Sequence, residues 1–327
     1  MSEEPLRPHL DPSHATDSYQ ALLARECQFT WERAQAAGES ISPLIDRSAW
    51  SQHQRAGPWW WQPRIDPEIT WGKELAFVLR EARGRVLELG CGGGWLALEL
   101  ARRGLQVTAL DACEPLLKAA RENAQRLGIL PSQLEFRTAD LNTISLPANT
   151  YDTVIAWHSL HHLLALPRLM QEVRKTLWPG GSLLLCEALL DHQERSWQRS
   201  LLAAGRKAAK LALLLLAQAG KLKWPSAATA AAKEEEPAVC KLDSPFEGVG
   251  SLQVEPALEA QFKPVQSWRS RTWFWEGLPQ YAFTTMSDRR WQQRAAVASL
   301  ALLRRVDQGL LWLGFRGNCL TGKFVPR

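Results

Sequence analysis

Apolar residues in this chain gather in short runs that a glycine or an acid cuts off, with helix-like segments between them. Val86-Leu87-Glu88-Leu89 is such a run, interrupted by one acid and closed by Gly90-Cys91-Gly92-Gly93-Gly94. A run of this kind, ended by glycines, predicts a central parallel strand. Trp95 to Gly104 then reads as the following helix. Further strands are predicted at Gln106 to Asp111, Leu134 to Leu141 and Tyr151 to Trp157, and Trp178-Pro179-Gly180-Gly181 is a turn into a fifth strand that runs to Glu187. Outside this series, helices are predicted over 17–39 and 71–81, with a Pro- and Trp-rich stretch from Ser48 to Trp71 between them. Residues 192–223 are helical in character, and the Ala-rich 225–237 reads as a linker. A turn at 243–249, a strand over 265–276, a helix over 288–313 and a last strand over 318–325 follow.

The glycine turn carries the first chemical information. Glycines let a backbone approach a ligand closely, and the helix beyond offers unpaired N–H groups to an anionic group. A dinucleotide fingerprint needs Gly-x-Gly-x-x-Gly, but Trp95 stands at the third glycine position. Glu88 would also add a negative charge beside a pyrophosphate, and suits a cation instead. Asp111 ends the second strand with a carboxylate that can accept two hydrogen bonds. Read without a family in mind, Glu88 is equally a strand-end charge, Asp111 a helix cap and Asp140 the start of an Asx turn.

An acid followed by Gly-x-Gly-x-Gly, with Asp111 and Asp140 ending the next two strands, resembles the class I S-adenosylmethionine (SAM)-dependent methyltransferases of the small-molecule type. The resemblance implies an α/β, Rossmann-like, mostly parallel seven-stranded sheet of order 3-2-1-4-5-7-6 with a helical lid and insertion. It implies the cofactor S-adenosyl-L-methionine, released as S-adenosyl-L-homocysteine, and a binding site of Glu88, Gly90, Cys91, Gly92, Gly94, Asp111, Ala112, Asp140, Leu141 and Trp157. On that basis 1–83 is an N-terminal helical lid or substrate segment and 84–190 the SAM-binding core. Residues 191–242 are then a helical insertion and linker, and 243–327 complete the sheet.

Methyl transfer to a hydroxyl or acidic carbon is helped by a base, and the dense source of bases is Trp157-His158-Ser159-Leu160-His161-His162-Leu163. His161 aligns with the catalytic histidine of O-methyltransferases that carry Leu-His-Asp-Trp, although His162 and Leu163 replace the Asp and Trp. His161 is therefore the expected base, with His158 and His162 as alternates. The same stretch resembles the Glu-x-x-Glu-His metal segment of ubiquinone-biosynthesis O-methyltransferases with two of three residue types changed, and no metal is assigned to it. Structural histidines at a helix start are the plain alternative.

Composition then narrows the partners. The 327 residues hold 39 basic and 34 acidic side chains, a net +5 too mild to argue for nucleic acid. No Asp/Asn-Pro-Pro-aromatic or Pro-Cys motif of DNA methyltransferases is found, nor the glutamate pair of protein arginine methyltransferases. A small acceptor is expected, with O-methylation favoured. Sixteen Trp against three Tyr fall mostly outside the core stretch; Trp31, Trp59 to Trp61, Trp273 and Trp275 are placed to line an aromatic or hydrophobic substrate, or simply to fill core. Leu211 to Gly220 is uncharged but too short for a span of roughly 20 residues; weak membrane-surface association is the most it allows. Six cysteines without close pairing and no apolar leader fit a reduced, cytoplasmic setting. The alternatives are a SAM-binding partner without catalysis and a nicotinamide-dependent oxidoreductase.

Overall fold

In the computed structural model of the chain, the described residues are 17–37, 72–189, 244–270 and 317–327, with 197, 200, 201, 204, 305, 306 and 308–315. The apolar runs become strands β1 (Arg85–Leu89), β2 (Gln106–Asp111), β3 (Leu134–Thr138), β4 (Tyr151–Trp157), β5 (Leu177–Ala188), β6 (Phe262–Ser270) and β7 (Cys319–Pro326). They form one sheet in the expected order 3-2-1-4-5-7-6. The first five strands are parallel, and β7 runs antiparallel to both β5 and β6.

Burial on both faces is what the near-continuous apolar strands require. Leu87, Leu89, Val154, Leu183 and Leu185 pack to one side with helices α5 (Leu166–Thr176) and α6 (Val254–Gln261). Val86, Ile155, Leu184 and Cys186 pack to the other with α2 (Gly72–Glu81), α3 (Trp95–Arg102) and α4 (Glu114–Arg126). The two-residue alternation of a strand thus assigns each side chain to its layer. Helix α1 (Asp17–Ala37) lies apart from both layers, over the C-terminal ends of the strands, where Trp31 is partly buried against Ala34, Cys113 and Leu116.

Several boundaries differ from the sequence reading for local reasons. β3 stops at Thr138 because Asp140 starts a turn, its Oδ1 accepting from the Asn142 N–H at 2.9 Å. β6 begins at Phe262, ahead of the expected start. α6 is an addition: Val254, Ala257 and Leu258 give it a buried face, but eight residues with Pro256 in the first turn leave little periodicity to read. Residues 38–71, with the Trp59 to Trp61 run, lie outside the described residues. So do Trp273, Trp275, the uncharged Leu211 to Gly220 stretch, the 225–237 linker and the greater part of the expected helices over 192–223 and 288–313; of the latter, 308–312 are helical. Among the described residues no helix is long and apolar enough to cross a membrane.

Gly94, at the start of α3, has φ 76°, and a Cβ there would lie 2.6 Å from the Phe136 ring and 3.0 Å from the Ala120 methyl. This glycine sets how closely α3 sits on the β3–α4 layer. Gly94→Ala should cost about 2–4 kcal/mol, from left-handed strain plus overpacking, read as a lower urea midpoint at constant m-value. An unchanged midpoint would show that the contact relaxes freely.

Candidate active site

The site forms where a parallel sheet must present its loops, at the C-terminal edge of β1 to β5. After β1 the chain turns through Gly90 and Gly92, at φ 68° and 52°. A Cβ on Gly90 would strike the Ser159 side chain at 2.5 Å, whereas Gly92 faces open space. Asp111 holds this turn to β2: its Oδ2 accepts from the Gly92 N–H at 2.8 Å and its Oδ1 from the Cys113 N–H at 2.9 Å. Burial still pushes the Asp111 carboxyl above its usual range, against those amide bonds. Each oxygen keeps a lone pair for a hydroxyl donor.

Glu88 is buried beneath the turn. It accepts the backbone N–H of Ala97, and so caps α3 from the neighbouring strand, while its Oε2 has no partner. Burial, then the charge of Asp111, raises its carboxyl to about 8, with the Ala97 bond opposing. A buried acid with one unpartnered oxygen is a socket for a cation or a hydrogen-bond donor.

Asp140 joins α1 to the cleft. Its Oδ2 accepts from the Tyr19 hydroxyl at 2.8 Å, and the Asn142 Nδ2 donates to the same hydroxyl at 3.0 Å. Burial and the adjoining Asp140 raise the Tyr19 phenol, so it stays a neutral donor. Farther along α1, Glu26 Oε2 accepts from the Ser244 hydroxyl at 2.6 Å, and the Cys113 thiol donates to the Cys27 carbonyl at 3.3 Å. Between α1 and the strand ends lies a cleft of about 250 Å³, lined by Leu23, Glu26, Cys27, Thr30, Gly90, Gly92, Gly93, Asp111, Ala112, Cys113, Asp140, Leu141, His158, His162, Leu163 and Phe246 among others.

After β4 the three histidines separate. His158 and His162 line the cleft, and His161 does not. His161 is buried with its Nδ1 on Glu187 Oε1, and its Nε2 is 3.6 Å from Glu247 Oε1. Burial disfavours its imidazolium, but Glu187, Glu247 and Glu26 outweigh that and raise its pKa. Glu187 is fully buried yet held below the usual carboxylate range: desolvation is overcome by His161 and by amide bonds. Its Oε2 accepts from the N–H groups of Ser159 (3.0 Å) and Leu160 (2.7 Å), and its Oε1 from Ala188 (3.0 Å). His162 sits with Nδ1 3.3 Å from Glu26 Oε1 and Nε2 3.7 Å from Glu247 Oε2.

Of the residues expected at the cofactor, Gly90, Gly92, Asp111, Ala112, Asp140 and Leu141 are on the cleft wall. Glu88, Cys91, Gly94 and Trp157 are behind it. Cys91 is buried in the α3 layer, Gly94 serves helix packing, and Trp157 stands edge-on to Trp95 at 5.6 Å. Sequence reasoning left out Glu187, Glu26, Glu247 and Tyr19. Glu187 ends an apolar strand just as Glu88 does, and that pattern signals a functional acid; the others come from distant segments that carry no local mark.

An α/β sheet of this order is the Rossmann-like fold seen in class I methyltransferases, and here acids at or just past the ends of β1, β2 and β3 surround a glycine turn. Residues 87–185 match the family described as a methyltransferase domain. The ubiquinone biosynthesis O-methyltransferase of Idiomarina loihiensis is 30% identical over 159 residues, covering 44% of this chain and 61% of that protein. The S-adenosyl-L-methionine-dependent Diels-Alderase iccD of Talaromyces variabilis is 29% identical over 134 residues, covering 40% and 46%. Among solved structures, an S-adenosylmethionine dependent methyltransferase from Mesorhizobium loti is 29% identical over 37% of this chain and 54% of that one, with a TM-score of 0.33. The chain spans about half the length of the curated relatives it matches.

The buried acids give two expected outcomes. Glu88 binds its proton far more tightly folded than unfolded, where its value is 4.5. Its contribution is therefore fully present below about pH 4.5 and is lost as pH rises toward 8. In the ligand-free protein Glu88→Gln should flatten that decline, giving a urea midpoint above the parent's at pH 8; parallel pH profiles would show Glu88 ionised throughout. For the second pair, His161→Ala should cost about 3–5 kcal/mol near neutral pH, because Glu187 stays buried without its cation. The half-exposed edge of His162 makes His162→Ala much milder, and equal losses in the two variants would remove the ion pair from the account.

Proposed function

We propose that the chain is a SAM-dependent methyltransferase acting on a small aromatic or hydrophobic acceptor through oxygen. The observation that carries this reading is one cleft lined by two kinds of group. The glycine turn, Asp111 and Asp140 share its wall with the His158 and His162 imidazoles, and Glu88 lies behind the turn. The residues fit the cofactor: Gly92 leaves open space for close approach, and Glu88, enclosed behind the turn, backs it with a carboxyl that has one unpartnered oxygen. Asp111 suits vicinal hydroxyls, and Asp140 suits an amino group once Tyr19 shares or yields its oxygen. A methyl carried on a sulfonium is what S-adenosylmethionine supplies, and S-adenosylhomocysteine is what remains.

The chain's own contribution is positioning and a proton acceptor. An acceptor hydroxyl in the cleft hands its proton to an imidazole. We favour His162 for this role over His161, because His162 faces the cleft and Glu26 lies beside its Nδ1, where it steadies the imidazolium that forms. His161 is turned away from the cleft with its Nδ1 held by Glu187, so it acts by fixing the turn that carries His162. Oxygen as acceptor is favoured by the relatives named as O-methyltransferases.

The test is methyl transfer from SAM to a panel of phenols and catechols, with S-adenosylhomocysteine binding followed by calorimetry. His162→Ala should lower turnover by roughly 10² to 10⁴ and leave that binding nearly unchanged. Turnover equal to the parent's would take the base role from His162. Saturable binding with no product from any acceptor would favour a cofactor-binding partner protein.

A further inference from the structure

In the wall of the cleft a histidine and two cysteines meet, and a proton transfer to His162 leaves all three available for another role. Cys186 of β5 has its Sγ 3.8 Å from the Sγ of Cys319 on β7 and 3.8 Å from the Nε2 of His158. All three ligand atoms lie within 4.8 Å of one another. We propose that His158, Cys186 and Cys319 form a zinc site in the wall of the cleft. It differs from the histidine turn singled out in the sequence, since both thiols come from neighbouring strands.

Geometry and charge both support the assignment. Two thiolates bound to tetrahedral zinc at about 2.3 Å lie about 3.8 Å apart, so the spacing of the sulfurs needs no adjustment. The ligands are fixed by the sheet before any ion arrives. The His158 N–H donates to the Cys186 carbonyl at 2.8 Å, and Cys186 pairs with Thr321 two residues along β7 from Cys319. His158 also holds φ 51°, one of two non-glycine residues at positive φ among those described. Such backbone strain at a non-glycine residue concentrates at functional positions. The Thr321 hydroxyl stands 3.7 Å from Cys186 Sγ and 3.9 Å from Cys319 Sγ, placed to steady thiolate charge.

Both cysteines are buried, and binding obeys a simple charge balance. Two thiols release two protons to solvent, the imidazole binds neutral, and two thiolates cancel the charge of Zn²⁺. A neutral cluster tolerates burial where a lone ion does not. Three protein ligands leave a fourth position, the pattern of zinc sites that bind water or substrate rather than purely structural ones. Since His158 lines the cleft, that position suits an oxygen or sulfur donor on the acceptor.

Cobalt(II) titration of the reduced full-length chain, without air, tests this independently of methyl transfer. One equivalent should give thiolate-to-cobalt charge transfer and the strong visible bands of a tetrahedral ion, and zinc should bleach both. Cys186→Ala and Cys319→Ala should each remove much of the charge transfer. His158→Asn should weaken binding by at least the roughly ten- to a hundredfold that loss of even an outer-shell partner costs, and asparagine accepts the left-handed backbone there, so that variant stays informative if the cysteine variants fold poorly. No charge-transfer band in the parent, or a band that survives in the Cys186→Ala/Cys319→Ala double variant or is unaltered in His158→Asn, overturns the site.

Discussion

Two glutamates buried at the same edge of the sheet reach opposite states, and the cleft depends on the contrast. Glu187 is surrounded by donors: three backbone amides and the His161 imidazole converge on its two oxygens. It remains charged, and by gathering the amides of Ser159 and Leu160 it dictates the course of the chain after β4. Glu88 receives one amide and faces the negative field of Asp111, so it holds its proton in the empty protein. The same side chain at equivalent strand ends thus becomes a structural anion in one place and a receptive acid in the other. Neighbouring donors decide the outcome, not depth of burial, because both residues are almost fully enclosed.

Much of this arrangement was legible in the sequence because it is local. An apolar run closed by glycines specifies β1 and its turn, and the spacing of Asp111 and Asp140 follows from strands whose lengths the pattern sets. The strand order matched what the family resemblance implies. What escaped was non-local: Tyr19 reaches Asp140 across 121 positions and Glu26 reaches Ser244 across 218. The three histidines show the limit well. Within five residues two rings reach the cleft and one does not, and the partner that holds His161 away, Glu187, comes from a different strand.

The scaffold roles of the acids leave some of their acceptor positions over. Asp111 ties a loop and keeps lone pairs for hydroxyls; Asp140 starts an Asx turn and faces the cleft; Glu88 caps a helix and leaves one oxygen unused. A carboxylate has about four acceptor positions, so one residue can hold the scaffold with some and serve a ligand with others. This economy preorganises the cleft, since the groups that receive a ligand are already fixed by the scaffold.

Helix α1 roofs the cleft largely through hydrogen bonds that Tyr19 donates and that Glu26 and the Cys27 carbonyl accept, all with distant partners, and buries few large apolar groups compared with α3 or α5. Contacts of such sequence separation form only after the chain between them has been organised. The sheet therefore consolidates first and the roof settles last. In the finished protein the order reverses: among the described elements α1 is the one expected to detach at the least cost, so that its backbone amides should exchange with solvent before those of β1 and β4.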